Sequence, residues 1–414
     1  MKLISSVWRP GSGAQWVKVG LSVSDFKTAD TTYFEQGLRL VDFELEGGQY
    51  TGVWRPGSGA QWVRAGLSWS DFKAQDLAYF NLGLRIVDIE IDGGKYAAVW
   101  RPGTGAQWVQ AGLTWDAFKT QDLGYFKEGL RLVDIEIQGG KFTGVWRPGT
   151  GAQWVHAGIS PGQLVAQDAI YGLQGLRIHV LKVQDGALTA VWRPGTGAQA
   201  LHFGLSVERF AAEDTAKFKA GLRLQALEVH ERPVIIYRLP FADASGWALG
   251  KGNWDDPQNG HSQGDPLGWQ AYAYDFLHDE EGAIRAARAG TVYDLDESSS
   301  QNGFNPNDPC NPGVGNYLVI KHDDGTFGVY WHMKHDGVLV TEGQSIAEGD
   351  QVALSGNTGN SSAPHLHFDA RIGWDLAYSC SNLSESPGLP VFFEDKNHSY
   401  WRPRVDDSLA PSSS

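Results

Sequence analysis

The residues best suited to do chemistry lie in Ser361-Ser362-Ala363-Pro364-His365-Leu366-His367-Phe368. Two histidines one residue apart in an extended segment project to one face, because side chains alternate along a strand. Leu366 and Phe368 then point the other way, into a core. Imidazole is the commonest metal ligand and the commonest proton carrier near neutral pH, so an adjacent pair suits a metal site, a proton transfer, or both. Alone, a His-x-His pair is as much at home on a plain surface strand. The surrounding motifs decide.

Those motifs lie in a stretch, residues 257–395, that reads as an antiparallel β domain with almost no helix. Residues 283–292 precede a polar, loop-like run from 294 to 312. Strands follow at 316–322 and 327–332, separated by the turn Asp323-Asp324-Gly325-Thr326, and an apolar run leads into Ser355-Gly356-Asn357-Thr358-Gly359. Residues 237–256, turn-rich and without a period, read as a linker into this domain. Residues 396–414, with few apolar side chains, read as a loosely packed tail.

Taken in order, Gly260-His261, Ala273-Tyr274-Asp275-Phe276, Tyr330-Trp331-His332-Met333, Ser355-Gly356-Asn357-Thr358-Gly359-Asn360 and Pro364-His365-Leu366-His367-Phe368 resemble the signature of lysostaphin/LytM-type zinc metallopeptidases. The resemblance implies that His261, Asp275 and His367 bind Zn²⁺. It also implies that His332 and His365 are catalytic histidines flanking the attacking water. Two imidazoles and a carboxylate leave a four-coordinate zinc one open position, as catalytic zinc requires. Asp275 precedes Phe276 on an apolar strand, where an unpaired carboxylate is costly, so a metal partner makes sense there. Asp265 is a competing carboxylate, though without a strand context. His278, His322 and His335 each neighbour an acidic residue in a polar turn and read as surface groups. The interval from His261 to Asp275 is wide for this family. Trp254 and Asp255 stand where relatives often carry a helper tyrosine. A disulfide between Cys310 and Cys380 would pin the long loop beside the groove and suit an oxidising compartment.

The first 236 residues repeat. Trp8, Trp54, Trp100, Trp146 and Trp192 recur every 46 residues, each opening Trp-Arg-Pro-Gly. Gly37, Gly83, Gly129, Gly175 and Gly221 keep the same interval, each followed by Leu-Arg. In the second copy Ser68 or Ser70 caps a helix whose apolar positions are Phe72, Leu77, Phe80 and Leu82, and Gly83 ends it. The alternating segment from Leu84 to Ile91 is a strand with a bulge near Val87, and Gly93-Gly94 turns tightly into the next Trp-Arg-Pro-Gly strand. One such unit cannot bury its own apolar face. Neighbours must supply the rest, in an open array or a closed ring; a propeller-like closed ring of five β-β-α-β repeats is expected, because the two ends of the repeat region could complete one another. The units resemble Trp-rich bacterial tandem repeats found beside hydrolase domains and the N-terminal part of polyglycine hydrolases, described as a β-propeller. The Trp and Arg of each motif either stack as cation–π pairs lining binding grooves, or the Trp fills the core and the Arg pairs with an acidic side chain of the next unit. Trp16, Trp62, Trp108 and Trp154 give way to Ala200 in the fifth copy.

Composition narrows the function. A hydrophobic content of 42% and a charged content of 20% describe a globular chain. A net charge of −14 disfavours nucleic acid. No apolar run reaches membrane-spanning length. The segment from Met1 to Trp8 lacks a signal-peptide core, which leaves a cytosolic protein, another export route or a removed leader. The expectation is a monomeric, secreted or periplasmic zinc endopeptidase acting on peptidoglycan cross-links or glycine-rich peptides, with the repeats engaging substrate or cell wall. The competing reading is a carbohydrate- or cell-wall-binding protein whose peptidase-fold domain is inactive.

Overall fold

A computed structural model describes residues 2–233, 236–242, 246–252, 261, 272–300, 315–371, 373–374, 389 and 391–394. Its contacts divide the chain into two units, Met1–Ile159 with Ala166–Arg232, and Ser160–Val165 with Pro233–Ser414. Cys310, Cys380, Asp265, Trp254, Asp255 and the 396–414 tail lie outside the described residues.

The first unit holds five three-stranded antiparallel sheets, with a 13-residue helix in each repeat. In the second repeat the edge strand Trp62–Leu67 and the strand Leu84–Asp92 flank the central Lys95–Pro102. The helix Trp69–Asn81 starts where Ser68 accepts from the Asp71 amide. The register slips between Ile86 and Asp88, the bulge expected near Val87. Gly93 and Gly94 both take positive φ, as a two-residue hairpin requires. The helix buries only Phe72 and Tyr79; Leu77 and Leu82, expected on the core face, are 62% and 73% exposed. Phe72 and Tyr79 are seven residues, two turns, apart, so the helix meets the sheet along one narrow stripe.

The tryptophan of every Trp-Arg-Pro-Gly motif is fully buried. Trp100 Nε1 donates to Asp76 Oδ1 at 2.8 Å, the same oxygen takes Gln107 Nε2 at 2.8 Å, and Gln107 Oε1 accepts the Ile86 amide. This trio recurs in each repeat and satisfies the one polar atom that burying an indole leaves over. The core-filling reading therefore holds for these tryptophans. Two of their arginines differ from both expectations: Arg147 and Arg193 donate to the backbone carbonyls of Ile86 and Leu132 in a neighbouring sheet. The guanidinium that stacks on an aromatic ring is that of the Leu-Arg pair, with Arg39, Arg85, Arg131 and Arg223 lying 3.5–3.6 Å over phenylalanines.

The chain's first strand, Leu3–Pro10, is the middle strand of the sheet formed with Ala200–Ser206 and Leu222–His230. Contacts also pass from sheet to sheet. The Phe43 amide bonds Asp88, the Ile89 amide bonds Asp134, the Val183 amide bonds Glu228, and the Leu227 amide bonds Asp42. One equivalent position in the five repeats carries Glu44, Glu90, Glu136, Lys182 and Glu228. The Lys182 ammonium touches all four carboxylates, at 3.1 Å for Glu44, 2.7 Å for Glu90, 3.3 Å for Glu228 and closely for Glu136.

Burial pushes the carboxyl of Glu90 up to about 8, and those of Glu228 and Asp42 up to about 7. A carboxyl raised in the folded state stabilises the fold below its unfolded pKa and loses that contribution as pH climbs through the raised one. Burial opposes the charge of Lys182, but the glutamates around it hold its pKa well above the ordinary lysine value, so its own contribution persists throughout this range. The thermal midpoint of the repeat region is expected to fall as pH rises from about 5 to about 8. Circular-dichroism melts across that window check this, and a midpoint that rises instead would contradict it.

Among its described residues, the second unit is built on a nine-stranded antiparallel sheet. Its path runs Ala248–Lys251, Tyr274–Leu277, His365–Arg371, Phe327–Val338, Asn316–Lys321, Gly290–Asp296 and Ser345–Ile346, with Gln351–Ser355 joining Phe327–Val338 to Ala283–Arg285. The stretch expected to be a linker contributes structure. Ile236–Arg238 pairs in parallel with Phe392–Glu394, Ala248–Lys251 borders the Asp275 strand, and Tyr237, Leu239 and Phe241 are buried. Strands of three and four residues are too short to leave a period in sequence.

Candidate metal centre

Strand register assembles the site. Asp275 lies directly opposite His367, and Leu277 opposite His365, in one antiparallel pair. Directly paired residues share a face, so Asp275, His365 and His367 project together. Trp331 pairs with His367 on the other side, so plain alternation would turn the next residue, His332, to the opposite face; the left-handed backbone of His332, φ +66°, brings its ring to the site instead. His261 arrives from outside the sheet, its amide bonded to the Gly252 carbonyl.

Donor atoms of His261, Asp275 and His367 lie within 4.8 Å of one another. Asp275 Oδ1 is 2.8 Å from His367 Nδ1 and 3.3 Å from His261 Nε2. Burial works against charge on Asp275, yet the two imidazoles hold its carboxyl well below the usual range, so it stays an anion. Burial would lower His367, but Asp275 on one side and Asp369 on the other hold it up to about 9. A proton kept between two carboxylates marks a place that a divalent cation can take over, since metal binding displaces such protons. His261 Nε2 is buried and faces Asp275 without good hydrogen-bond geometry. Two nitrogens and a carboxylate are a donor set that fits zinc.

The other two histidines flank this cluster. The His365 and His332 rings are 4.6 Å apart, and His365 Nε2 is 3.7 Å from Asp275 Oδ1. Both are fixed through Nδ1: His332 on the Thr358 carbonyl at 2.7 Å, His365 on the Ala363 carbonyl at 2.8 Å. A ring that donates through Nδ1 keeps Nε2 as its acceptor. Burial lowers both rings, His332 to about 3, which keeps them neutral. His332 has φ +66°, a left-handed conformation that a non-glycine residue seldom adopts and that clusters at functional sites. The Ser355–Gly359 motif holds it there. Thr358 Oγ1 donates to the Met333 carbonyl and accepts the Asn316 amide. A Cβ at Gly315 would come within 2.5 Å of the Thr358 carbonyl oxygen and 2.8 Å of His332 Nδ1, so only glycine fits.

Two neighbours were not singled out in sequence. Asp369, fully buried, lies 3.6 Å from His367 Nε2 and is clamped by Arg371 through bonds of 2.6 and 2.9 Å. A carboxylate behind a metal-ligating histidine orients the ring. The signal was present, because His365, His367, Asp369 and Arg371 alternate on one strand face. His322, expected at the surface, is buried with Nδ1 on the Ala289 carbonyl, while His278 and His335 are more open.

Residues 270–377 match Peptidase family M23. This part of the chain is an M23 peptidase domain. Peptidoglycan DD-endopeptidase ShyA of Vibrio cholerae is 41% identical over 58 residues, 14% of this chain and 13% of that protein. Peptidoglycan DD-endopeptidase ShyB of the same organism is 43% identical over 61 residues, 15% of this chain and 14% of its own. Murein hydrolase activator NlpD of Escherichia coli is 42% identical over 59 residues, 14% of this chain and 15% of that protein. The chain therefore spans only about a seventh of the length of these curated relatives. Among solved structures, the catalytic domain of lysostaphin from Staphylococcus simulans is 26% identical, covering 28% of this chain and 79% of that one, with a TM-score of 0.21. No described helix is long and apolar enough to cross a membrane.

Proposed function

We propose that the M23 domain is an active zinc endopeptidase that cuts peptide bonds in peptidoglycan or in glycine-rich peptides. The observation that carries this reading is the convergence of His261, Asp275 and His367 with two further histidines fixed through Nδ1. His261, Asp275 and His367 would hold the metal. Bound zinc supplies Lewis acidity toward the scissile carbonyl and acidifies water. His365, held by the Ala363 carbonyl and lying beside Asp275, takes the attacking water's proton on Nε2. His332, held by Thr358, presents Nε2 as an acceptor and orients the attacking water. Asp369 and Arg371 keep the His367 ring in place.

The repeats are proposed to form a closed five-bladed, propeller-like ring that holds the enzyme on cell-wall material outside the cytoplasm. The sheet shared between the first strand and the fifth repeat and the bonds passing from sheet to sheet support this closure. The competing function is binding by an inactive peptidase fold, as the name of the activator relative suggests. Retention of all five key side chains in one cluster favours catalysis.

The purified chain is expected to carry about one zinc per molecule. It should lose hydrolysis on chelation and regain it with zinc, and His367→Ala should bind no metal. Mass spectrometry of products from purified peptidoglycan and from pentaglycine names the bond. Metal-free wild-type protein whose cleavage ignores chelators would sink the mechanism, and zinc-loaded protein that cleaves nothing would favour the binding reading.

A further inference from the structure

Four repeats carry a second tryptophan at the start of the edge strand, and these differ from the buried set. Trp16, Trp62, Trp108 and Trp154 are 44–49% exposed. Each stacks on a helix tyrosine: Trp16 on Tyr33, Trp62 on Tyr79, Trp108 on Tyr125 and Trp154 on Tyr171, with centroids 5.5–5.9 Å apart and planes within 24°. Each tyrosine in turn packs on the buried motif tryptophan at 5.0–5.3 Å. The result is a three-ring ladder that ends in an indole at the surface. The ladder holds that indole still, so a ligand need not freeze it on binding.

A polar side chain stands beside each platform, two residues along the strand and hence on the same face: Lys18, Arg64, Gln110 or His156. Gln110 Nε2 donates to the Tyr125 hydroxyl at 3.0 Å, and His156 Nε2 lies 2.7 Å from the Tyr171 hydroxyl. The Arg64 guanidinium sits 5.3 Å from the Trp62 ring. In the fifth repeat both members of the pair are gone together. Ala200 replaces the tryptophan and Lys217 the tyrosine, and Lys217, His202 and Arg209 gather around Glu213. That repeat folds without the pair, so the platform is not needed for folding.

We propose that the four Trp–Tyr platforms are binding sites for the uncharged hexopyranose rings of a glycan strand. A pyranose presents an apolar C–H face to stack on an indole and a rim of hydroxyl or acetamido groups to meet one hydrogen-bonding side chain. That is the shape and polarity repeated here. A chain with net charge −14 disfavours a polyanion in the same place. Four like sites on one molecule bind a repeating polymer by avidity, each site contributing weakly. The inference rests on the reading that the repeats engage the cell wall and is independent of the peptidase chemistry.

The test uses the full chain and two variants. One is W16A/W62A/W108A/W154A; the other is W154A/Y171K, which copies the pair already tolerated in the fifth repeat. Binding to insoluble poly-N-acetylglucosamine and to its soluble oligomers is measured alongside hydrolysis of soluble pentaglycine. The fourfold variant, with an unchanged far-ultraviolet spectrum, is expected to lose roughly 100-fold in polymer binding, and the paired variant less than about tenfold. Pentaglycine hydrolysis should match wild type in both. Wild-type protein that ignores the sugars, or a folded paired variant and fourfold variant that bind like wild type, overturns the proposal. Failure of the enzyme reading looks different: all three proteins leave pentaglycine uncut while the sugar-binding series stands.

Discussion

His365→Ala is expected to keep its metal and lose nearly all hydrolysis, by roughly 10²–10⁴-fold. The ring lies 3.7 Å from Asp275 Oδ1 through Nε2, so it borders the three donors proposed to hold the metal without being one of them. Its Nδ1 is committed to the Ala363 carbonyl and approached by Ser361 Oγ at 3.0 Å, which leaves Nε2 to accept a proton. Removing the imidazole takes away the acceptor but leaves Asp275 and His367 in the register set by backbone pairing, and His261 on its amide bond to the Gly252 carbonyl. Metal analysis and single-turnover kinetics on the same preparation separate the two roles. His367→Ala, by contrast, should lose metal and activity together. A metal-loaded His365→Ala enzyme that turns over at the wild-type rate would move the proton acceptor elsewhere, and His332 would be the next residue to test.

That these side chains cluster was legible in sequence because strand alternation and motif order survive without coordinates. His365, His367 and Asp275 sit at positions where pairing rules alone bring side chains to one face. The left-handed conformation of His332 was not legible: nothing in Tyr330-Trp331-His332-Met333 announces a positive φ, which is imposed by Thr358 and the glycine at 315. Asp369 and Arg371 were visible as alternating polar residues, yet their purpose shows only once His367 is seen to have two sides. The repeats gave their helix boundaries and bulge through a strict period. They did not reveal which tryptophan is buried, because the motif tryptophan and the one eight residues on are chemically alike and only packing tells Trp100 from Trp108. His322 was misplaced for a similar reason, since an acidic neighbour in sequence says little about what covers a ring from another strand.

The second large effect is expected in the repeats. Lys182→Met should lower the stability of this region by about 3–5 kcal/mol at neutral pH, because it leaves buried carboxylates without their cation. That corresponds to roughly a 10 °C fall in thermal midpoint for a region of this size. Glu44, Glu90, Glu136 and Glu228 come from the four other repeats, so the loss is shared by all five rather than confined to one. The pH dependence follows from the direction of the shifts. Without Lys182 the glutamates, already raised by burial, must hold protons to stay buried, so the variant should lose further stability as pH rises and approach wild type near pH ~4, where carboxyls are neutral. Lys182→Glu should be worse, with five like groups at one point. Replacing the four glutamates by glutamine in the Lys182→Met background should recover much of the loss, since neutral amides can bond one another where carboxylates repel. Circular-dichroism melts of these variants between about pH 4 and 8 decide the matter. If Lys182→Met melts with wild type at neutral pH, the five equivalent positions do not act as one cluster, and the sheets must be held together by their amide-to-aspartate bonds and tryptophan packing alone.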